Sequence, residues 1–231
     1  MKICVIGNSH VGCLKLGWDL VRAEFPGVAL TFFAARGRMM RGLEVDDGKL
    51  VARNAELKSH MAFTSGGVHE ILPQDYDGFV MYGLALSLPR LQSGVSMALR
   101  RAAAADFLRN TLMFNSFAKL RSVTDKMIWV GPAPMETAHG DRYDHPMLGY
   151  PSLIADLQSI LDDPMATVLG QPPDTVLPTL TTLARFSEGA LRLPSPKASA
   201  GKVTSAPDDI KHMNAEFGAQ WLRANLPRVT G

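Results

Sequence analysis

An α/β fold built on an open parallel sheet is predicted by three observations. Short apolar, partly β-branched runs alternate with longer stretches that place apolar residues at helical spacing. The runs end at glycine, namely Gly7, Gly37, Gly83 and the Gly131-Pro132 step. The first strand, first helix and second strand follow one another at the length of a βαβ unit, which makes the two strands parallel with a right-handed crossover.

Lys2 to Ile6 forms the first strand, and Gly7-Asn8-Ser9 breaks it. From Val11 to Glu24 apolar residues recur at helical spacing until Pro26-Gly27 stops them, and Val28 to Ala34 is the second strand. Met39 to Pro73 is an excursion off the sheet, with a short strand at Leu50 to Arg53, a helical turn at Ala55 to Met61 and a loop at Ser65-Gly66-Gly67. Asp77 to Tyr82 is the third central strand. Val95 to Val123 is helical with a break near Asn110, and Lys126 to Val130 is the fourth strand, ended by prolines that cannot continue the ladder. Tyr150 to Leu161 reads as a helix. Gln171-Pro172-Pro173 and Leu191 to Lys202 read as surface wrapping, and the chain closes with an amphipathic helix halted before Pro227.

The 231 residues carry 24 Lys and Arg against 22 Asp and Glu with no basic block, so nucleic acid is not indicated as a partner. No apolar run is long enough to span a bilayer, and no signal-peptide core opens the chain; the expected location is cytoplasmic, with no membrane partner. No composition break divides the chain, which reads as one domain over 1–231. Cys4 on the first strand and Cys13 on the first helix read as small buried hydrophobes.

Chemistry concentrates at the turn after the first strand. In an open parallel sheet, ligands bind beyond the carboxyl ends of the strands, where helix N-termini offer free N–H groups to an oxyanion. Ser9 stands at such a turn, as a candidate nucleophile or as a helix N-cap. A serine hydroxyl needs an imidazole base and a group that fixes the imidazole tautomer. Asp209 and His212, spaced i and i+3 before the last helix, have that relation, although a surface histidine capped by Asp209 would show the same spacing.

Gly7-Asn8-Ser9, Gly37, Gly83, the proline-rich end of the fourth strand and the terminal Asp-x-x-His occur in an order that resembles the SGNH (GDSL-type) hydrolase and acyltransferase superfamily over nearly the whole chain. The resemblance implies a flavodoxin-like three-layer sandwich with the first strand near the middle of its parallel sheet. It implies Ser9 as nucleophile, His212 as base, Asp209 as its orienter, and the backbone N–H groups of Ser9 and Gly37 as the oxyanion hole. His10 and Gly83 stand where they would contact substrate, with packing into the first helix turn as the alternative for His10 and a plain turn role as that for Gly83.

Two positions depart from the pattern. Asn8 replaces the usual aspartate and keeps an acceptor. Ala85 stands where an asparagine would donate to the oxyanion, and loss of one such donor costs about 3–4 kcal/mol, a hundred- to thousandfold in rate.

The implied activity is a serine-dependent ester hydrolase or O-acyltransferase acting on a small or glycan-linked acyl ester, without a cofactor. The alternative is a silent binding protein for a glycan or acylated ligand. A transferase version would use Arg36 and Arg38 to meet the phosphates of acyl-CoA. His139, Asp141, Asp144 and His145 are acceptable zinc ligand types, but their spacing matches no tight motif, and no metal is expected; that loop reads as a substrate-binding or solvated segment. The Gly7, Gly12, Gly17 series fits a dinucleotide fingerprint poorly, since Ser9 occupies the middle glycine position and arginines follow the second strand.

Overall fold

The computed structural model describes residues 1–86, 96–137, 149–196, 204–206 and 208–230. β1 (Lys2–Gly7) leads into α1 (Val11–Val21) and then β2 (Ala29–Ala34); β3 (Leu43–Asp46), β4 (Lys49–Ala52), α2 (Ala55–Ser65), β5 (Glu70–Ile71) and β6 (Gly78–Tyr82) follow. α3 (Met97–Arg109) and α4 (Leu112–Arg121) precede β7 (Ile128–Gly131), α5 (Tyr150–Leu161), β8 (Ala166–Val168) and α6 (Ala215–Thr230).

The main sheet has the order β2-β1-β6-β7-β8 with every pair parallel. Counted within the sheet this is the flavodoxin-like order 2-1-3-4-5. Both faces are covered. Ile3 and Val5 of β1 point to a core shared with α1 and α6, whereas Cys4 and Ile6 point to a core shared with α2, α4 and α5. The alternation of strand side chains thus produces helix, sheet and helix layers, the three-layer sandwich that the resemblance implies. Cys4 and Cys13 are buried and unbridged.

The excursion between β2 and β6 holds more order than its weak pattern suggests. β3, β4 and β5 form a separate antiparallel sheet, and α2 runs on to Ser65, capped by the Asn54 side chain accepting from the Leu57 N–H at 2.9 Å. Near its end, Thr64 Oγ accepts from the Ala34 N–H at 3.0 Å, so α2 satisfies part of the edge of β2. The helical break near Asn110 is real: Asn110 ends α3, and Thr111 caps α4.

Two expectations are corrected, and one further strand joins those predicted. β8, only three residues long, is too short for alternation to be visible and is specified by pairing with β7. α6 does not stop before Pro227. Proline removes one intrahelical bond, yet the helix gains another turn because Val229 is buried, and the Thr230 hydroxyl donates to the Leu226 carbonyl at 3.0 Å. Gln171 and Pro172 are buried rather than wrapped on the surface. The Gln171 amide accepts from the Met135 N–H at 3.1 Å and donates to Thr182 Oγ at 3.0 Å, supplying partners that no regular element provides.

α1 and α6 lie side by side in the same direction, and the contact is made through glycine. A Cβ on Gly218 would lie 1.9 Å from the Cys13 carbonyl oxygen, and one on Gly17 would lie 2.3 Å from the Ala219 nitrogen. At the far end Arg223 forms a two-pronged pair with Glu24 at 2.7 and 2.9 Å. Trp221, fully buried, meets the Tyr82 ring edge-on at 5.2 Å and anchors α6 to the centre of the sheet.

Gly218→Ala is expected to force the two helices apart, because backbone atoms cannot yield to the new methyl. A loss of about 1–3 kcal/mol or more in urea unfolding is expected. Ala→Gly at the exposed position 98, tested in parallel, should cost about 1 kcal/mol or less.

Candidate active site

The carboxyl ends of three neighbouring strands set the site. Gly7 is in register with Ala34 of β2 on one side and Tyr82 of β6 on the other, so the turns that follow, carrying Ser9, Gly37 and Gly83, leave the same edge of the sheet. At the first turn the Asn8 side chain accepts from the His10 N–H at 3.3 Å, and the carbonyls of Asn8 and Ser9 accept from Val11 and Gly12 at 3.1 Å each. This tight turn starts α1 and presents the serine hydroxyl at its mouth.

Asp209 and His212 come from the segment before α6. Thr137 donates its N–H to the Ile210 carbonyl at 2.9 Å, tying this segment to the chain beyond β7. Asn214 fastens the other end. Its N–H donates to the Phe186 carbonyl at 2.7 Å, its amide donates to the Arg185 and Glu188 carbonyls, and its Oδ1 accepts from the Phe217 N–H at 3.1 Å as the cap of α6. An asparagine three residues before an apolar helical run is a readable cap signal; the Thr137 bond leaves none in the sequence.

The two ends of the chain meet. His212 Nε2 lies 3.0 Å from Ser9 Oγ, and His212 Nδ1 lies 2.8 Å from Asp209 Oδ2. The other carboxylate oxygen, Oδ1, accepts from the N–H groups of Lys211 and His212 at 3.0 and 3.1 Å. Burial pushes the Asp209 pKa up, but these N–H bonds and the imidazole outweigh it and hold the carboxyl below its ordinary range. An ionised carboxylate in this position keeps the proton on Nδ1 and leaves Nε2 free to accept one from a hydroxyl.

Gly37 has φ +59°, which glycine adopts without strain, and its α-carbon faces open space. Among the described residues, neither the Ser9 nor the Gly37 N–H is used in a protein hydrogen bond. Both are therefore free to donate to a ligand. Gly83 is buried instead. A Cβ there would meet Asn8 Oδ1 at 2.5 Å and His10 Cβ and Cδ2 at 3.2 Å, so the space left by its missing side chain is filled by its neighbours.

His10 does more than pack into the first helix turn. Its ring stacks on that of His212, with centroids 5.2 Å apart and planes inclined by 23°. Burial, then the neighbouring His212, lowers its pKa from 6.5 to about 4, with Lys211 acting in the same direction and Asp209 against it. Its imidazole is therefore neutral over the ordinary working range.

Leu84 and Ala85 both have positive φ, 48° and 60°, at the centre of a turn closed by the Leu86 N–H donating to the Gly83 carbonyl at 2.8 Å. This is a conformation in which asparagine and glycine are at ease and an alanine is not. Leu84 is held there by complete burial of its side chain, whereas Ala85 is exposed.

Arg36 is engaged structurally: its Nε donates to the Leu193 carbonyl at 2.7 Å and pins residues 191–194 beside α1 and the end of β2, while Arg38 remains exposed. The polar residues His139, Asp141, Arg142, Tyr143, Asp144 and His145 lie outside the described residues. Among the described residues no helix is long and apolar enough to cross a membrane.

Compared with solved structures, the chain is similar to the periplasmic domain of a lipopolysaccharide acetyltransferase from Salmonella ser. Paratyphi A, with a TM-score of 0.51 and 10% identity. The match covers 100% of this chain and 84% of that one. At this identity the likeness concerns the fold. No family model and no curated protein matches the chain.

The lowered His10 pKa carries a linkage whose sign is definite. As pH falls from 6.5 towards 4, an unfolded chain protonates this imidazole and the folded chain does not, so His10 lowers stability over that window. Wild-type stability should therefore fall between pH 7 and 4.5 by up to about 3 kcal/mol more than that of His10→Phe, measured by urea unfolding at each pH.

Proposed function

We propose that this protein is a serine-dependent acyl-ester enzyme of the SGNH type, an esterase or O-acyltransferase whose substrate is a small or glycan-linked ester. The observation that carries the reading is the 3.0 Å contact between His212 Nε2 and Ser9 Oγ, made across 203 residues, with Asp209 behind the imidazole at 2.8 Å. The fold neighbour's own description as a lipopolysaccharide acetyltransferase supports acyl transfer, and a saccharide-linked acceptor, as the direction in which to look.

In this reading Ser9 Oγ attacks the acyl carbonyl carbon as its proton passes to His212 Nε2. The carbonyl π pair moves onto oxygen, which the N–H groups of Ser9 and Gly37 hold. The tetrahedral species collapses, the alkoxide leaves with the proton from His212, and an acyl-serine remains. Water or a saccharide hydroxyl then gives its proton to His212 and attacks the acyl group, regenerating Ser9. Asp209 stays ionised throughout and stabilises the imidazolium.

A second reading is favoured by Ala85, whose methyl supplies no oxyanion donor: a protein that keeps the pocket and binds an acylated glycan without turnover. The two separate on one measurement. A fluorophosphonate followed by peptide mapping is expected to label Ser9 in the wild type; an unlabelled Ser9 in folded protein favours the binding protein.

Ser9→Ala is expected to abolish hydrolysis of p-nitrophenyl acetate, and wild-type activity in that variant would exclude the serine mechanism. Asp209→Asn should lower kcat by roughly 10⁴-fold, because an amide N–H facing Nδ1 favours the wrong imidazole tautomer. Steady-state assays of the folded variants check both.

A further inference from the structure

We propose that the His10 imidazole donates from Nε2 to the acyl oxygen, standing in for the side-chain donor that residue 85 lacks. This rests on the reading of Ser9 as nucleophile and adds a group that touches the reacting atoms.

The ring is placed by three constraints. His10 follows Ser9 directly and has helical φ and ψ of −65° and −21°. Its Cβ and Cδ2 lie 3.2 Å from where a Cβ on Gly83 would stand, so the ring sits close beside the turn after β6. Its face lies against His212, the imidazole that contacts Ser9 Oγ. The ring therefore occupies the β6 side of Ser9, while Gly37 occupies the β2 side. The β6 side is also where the turn Gly83 to Leu86 carries exposed Ala85, whose methyl donates to nothing.

The nitrogen that donates follows from burial. Nδ1 is fully buried and has no hydrogen-bond partner among the described residues. A neutral imidazole has one N–H, and an orphaned buried donor is rarer and costlier than an orphaned acceptor. The proton therefore resides on Nε2. Among the described residues no hydrogen bond of Nε2 is found, so its donor is unspent.

Neutrality suits the task. During addition His212 becomes an imidazolium with its ring centroid 5.2 Å from that of His10, and a second cation there would oppose the proton transfer. A neutral N–H stabilises the oxyanion without that repulsion. The balance of the step is unchanged: Ser9 Oγ forms the bond to carbon, its proton goes to His212, the π pair goes to oxygen, and His10 lends a hydrogen bond and gives up no proton.

The test measures the rate at which a fluorophosphonate labels Ser9, since phosphonylation builds negative charge on an oxygen in the same position. It is paired with p-nitrophenyl acetate turnover. His10→Phe keeps an aromatic ring and removes the donor; labelling and kcat are expected to fall about a hundredfold, with KM changed less than threefold. Ala85→Asn suits the left-handed backbone at that exposed position. Placed in the His10→Phe background, it is expected to recover at least tenfold. His10→Gln, which retains an N–H donor, serves if the phenylalanine variant does not fold, and is expected to keep at least a tenth of the wild-type labelling rate. Undiminished labelling and kcat in folded His10→Phe, absence of recovery in the folded double variant, or a drop of a hundredfold or more in His10→Gln each overturns the role of His10. Failure of the wild type to label at Ser9 overturns the serine reading itself, which separates the two.

Discussion

The closest approach of α1 and α6 is the constraint on which the site depends. Each helix starts one half of the hydroxyl-imidazole pair: Ser9 lies just before α1, and His212 lies just before α6. With Gly17 and Gly218 at the crossing, backbone approaches backbone, and the two N-termini come within the 3.0 Å reach of a hydrogen bond. A methyl group at either glycine would separate the axes and carry His212 away from Ser9. Trp221 then locks α6 against Tyr82 at the centre of the sheet, so the helix that brings the imidazole is referenced to the strands that bring the serine.

Polar bonds complete the positioning where packing leaves freedom. Thr137 holds Ile210, Asn214 holds the start of α6, and two backbone N–H groups hold the Asp209 carboxylate. Because Oδ1 is occupied by these N–H groups, Oδ2 is directed to His212 in one orientation. Bonds from neighbouring backbone cost little ordering entropy, since the residues that donate them are already fixed by the turn. The electrostatics agree with the geometry: Asp209 is kept ionised by its donors, and His10 is kept neutral by burial.

The turn after β6 shows a local cost accepted beside the site. Leu84 and Ala85 hold left-handed backbone that their side chains disfavour, and the complete burial of Leu84 keeps them there. The same turn opens with Gly83, whose absent side chain admits Asn8 and His10. The departure from the motif at Ala85 and the stacking of His10 on His212 are thus found on the same flank of Ser9.

Much of the architecture was legible because it is written in local periodicity. Apolar runs ending at glycine marked β1, β2, β6 and β7; helical spacing marked α1 and α5; Asn110 marked the break between α3 and α4. What escaped was set by distant partners: β8 exists by pairing with β7, Gln171 is buried because Met135 and Thr182 need its amide, and α6 passes Pro227 because Val229 has a core to enter. At the site, the sequence by itself determined the turn that exposes Ser9 and the i, i+3 spacing that joins Asp209 to His212. Only the tertiary structure decided that this imidazole reaches that hydroxyl and that His10 stacks on His212. The reason is physical: those contacts depend on the clearance between two helices 200 residues apart, a property of packed surfaces that one-dimensional spacing does not carry.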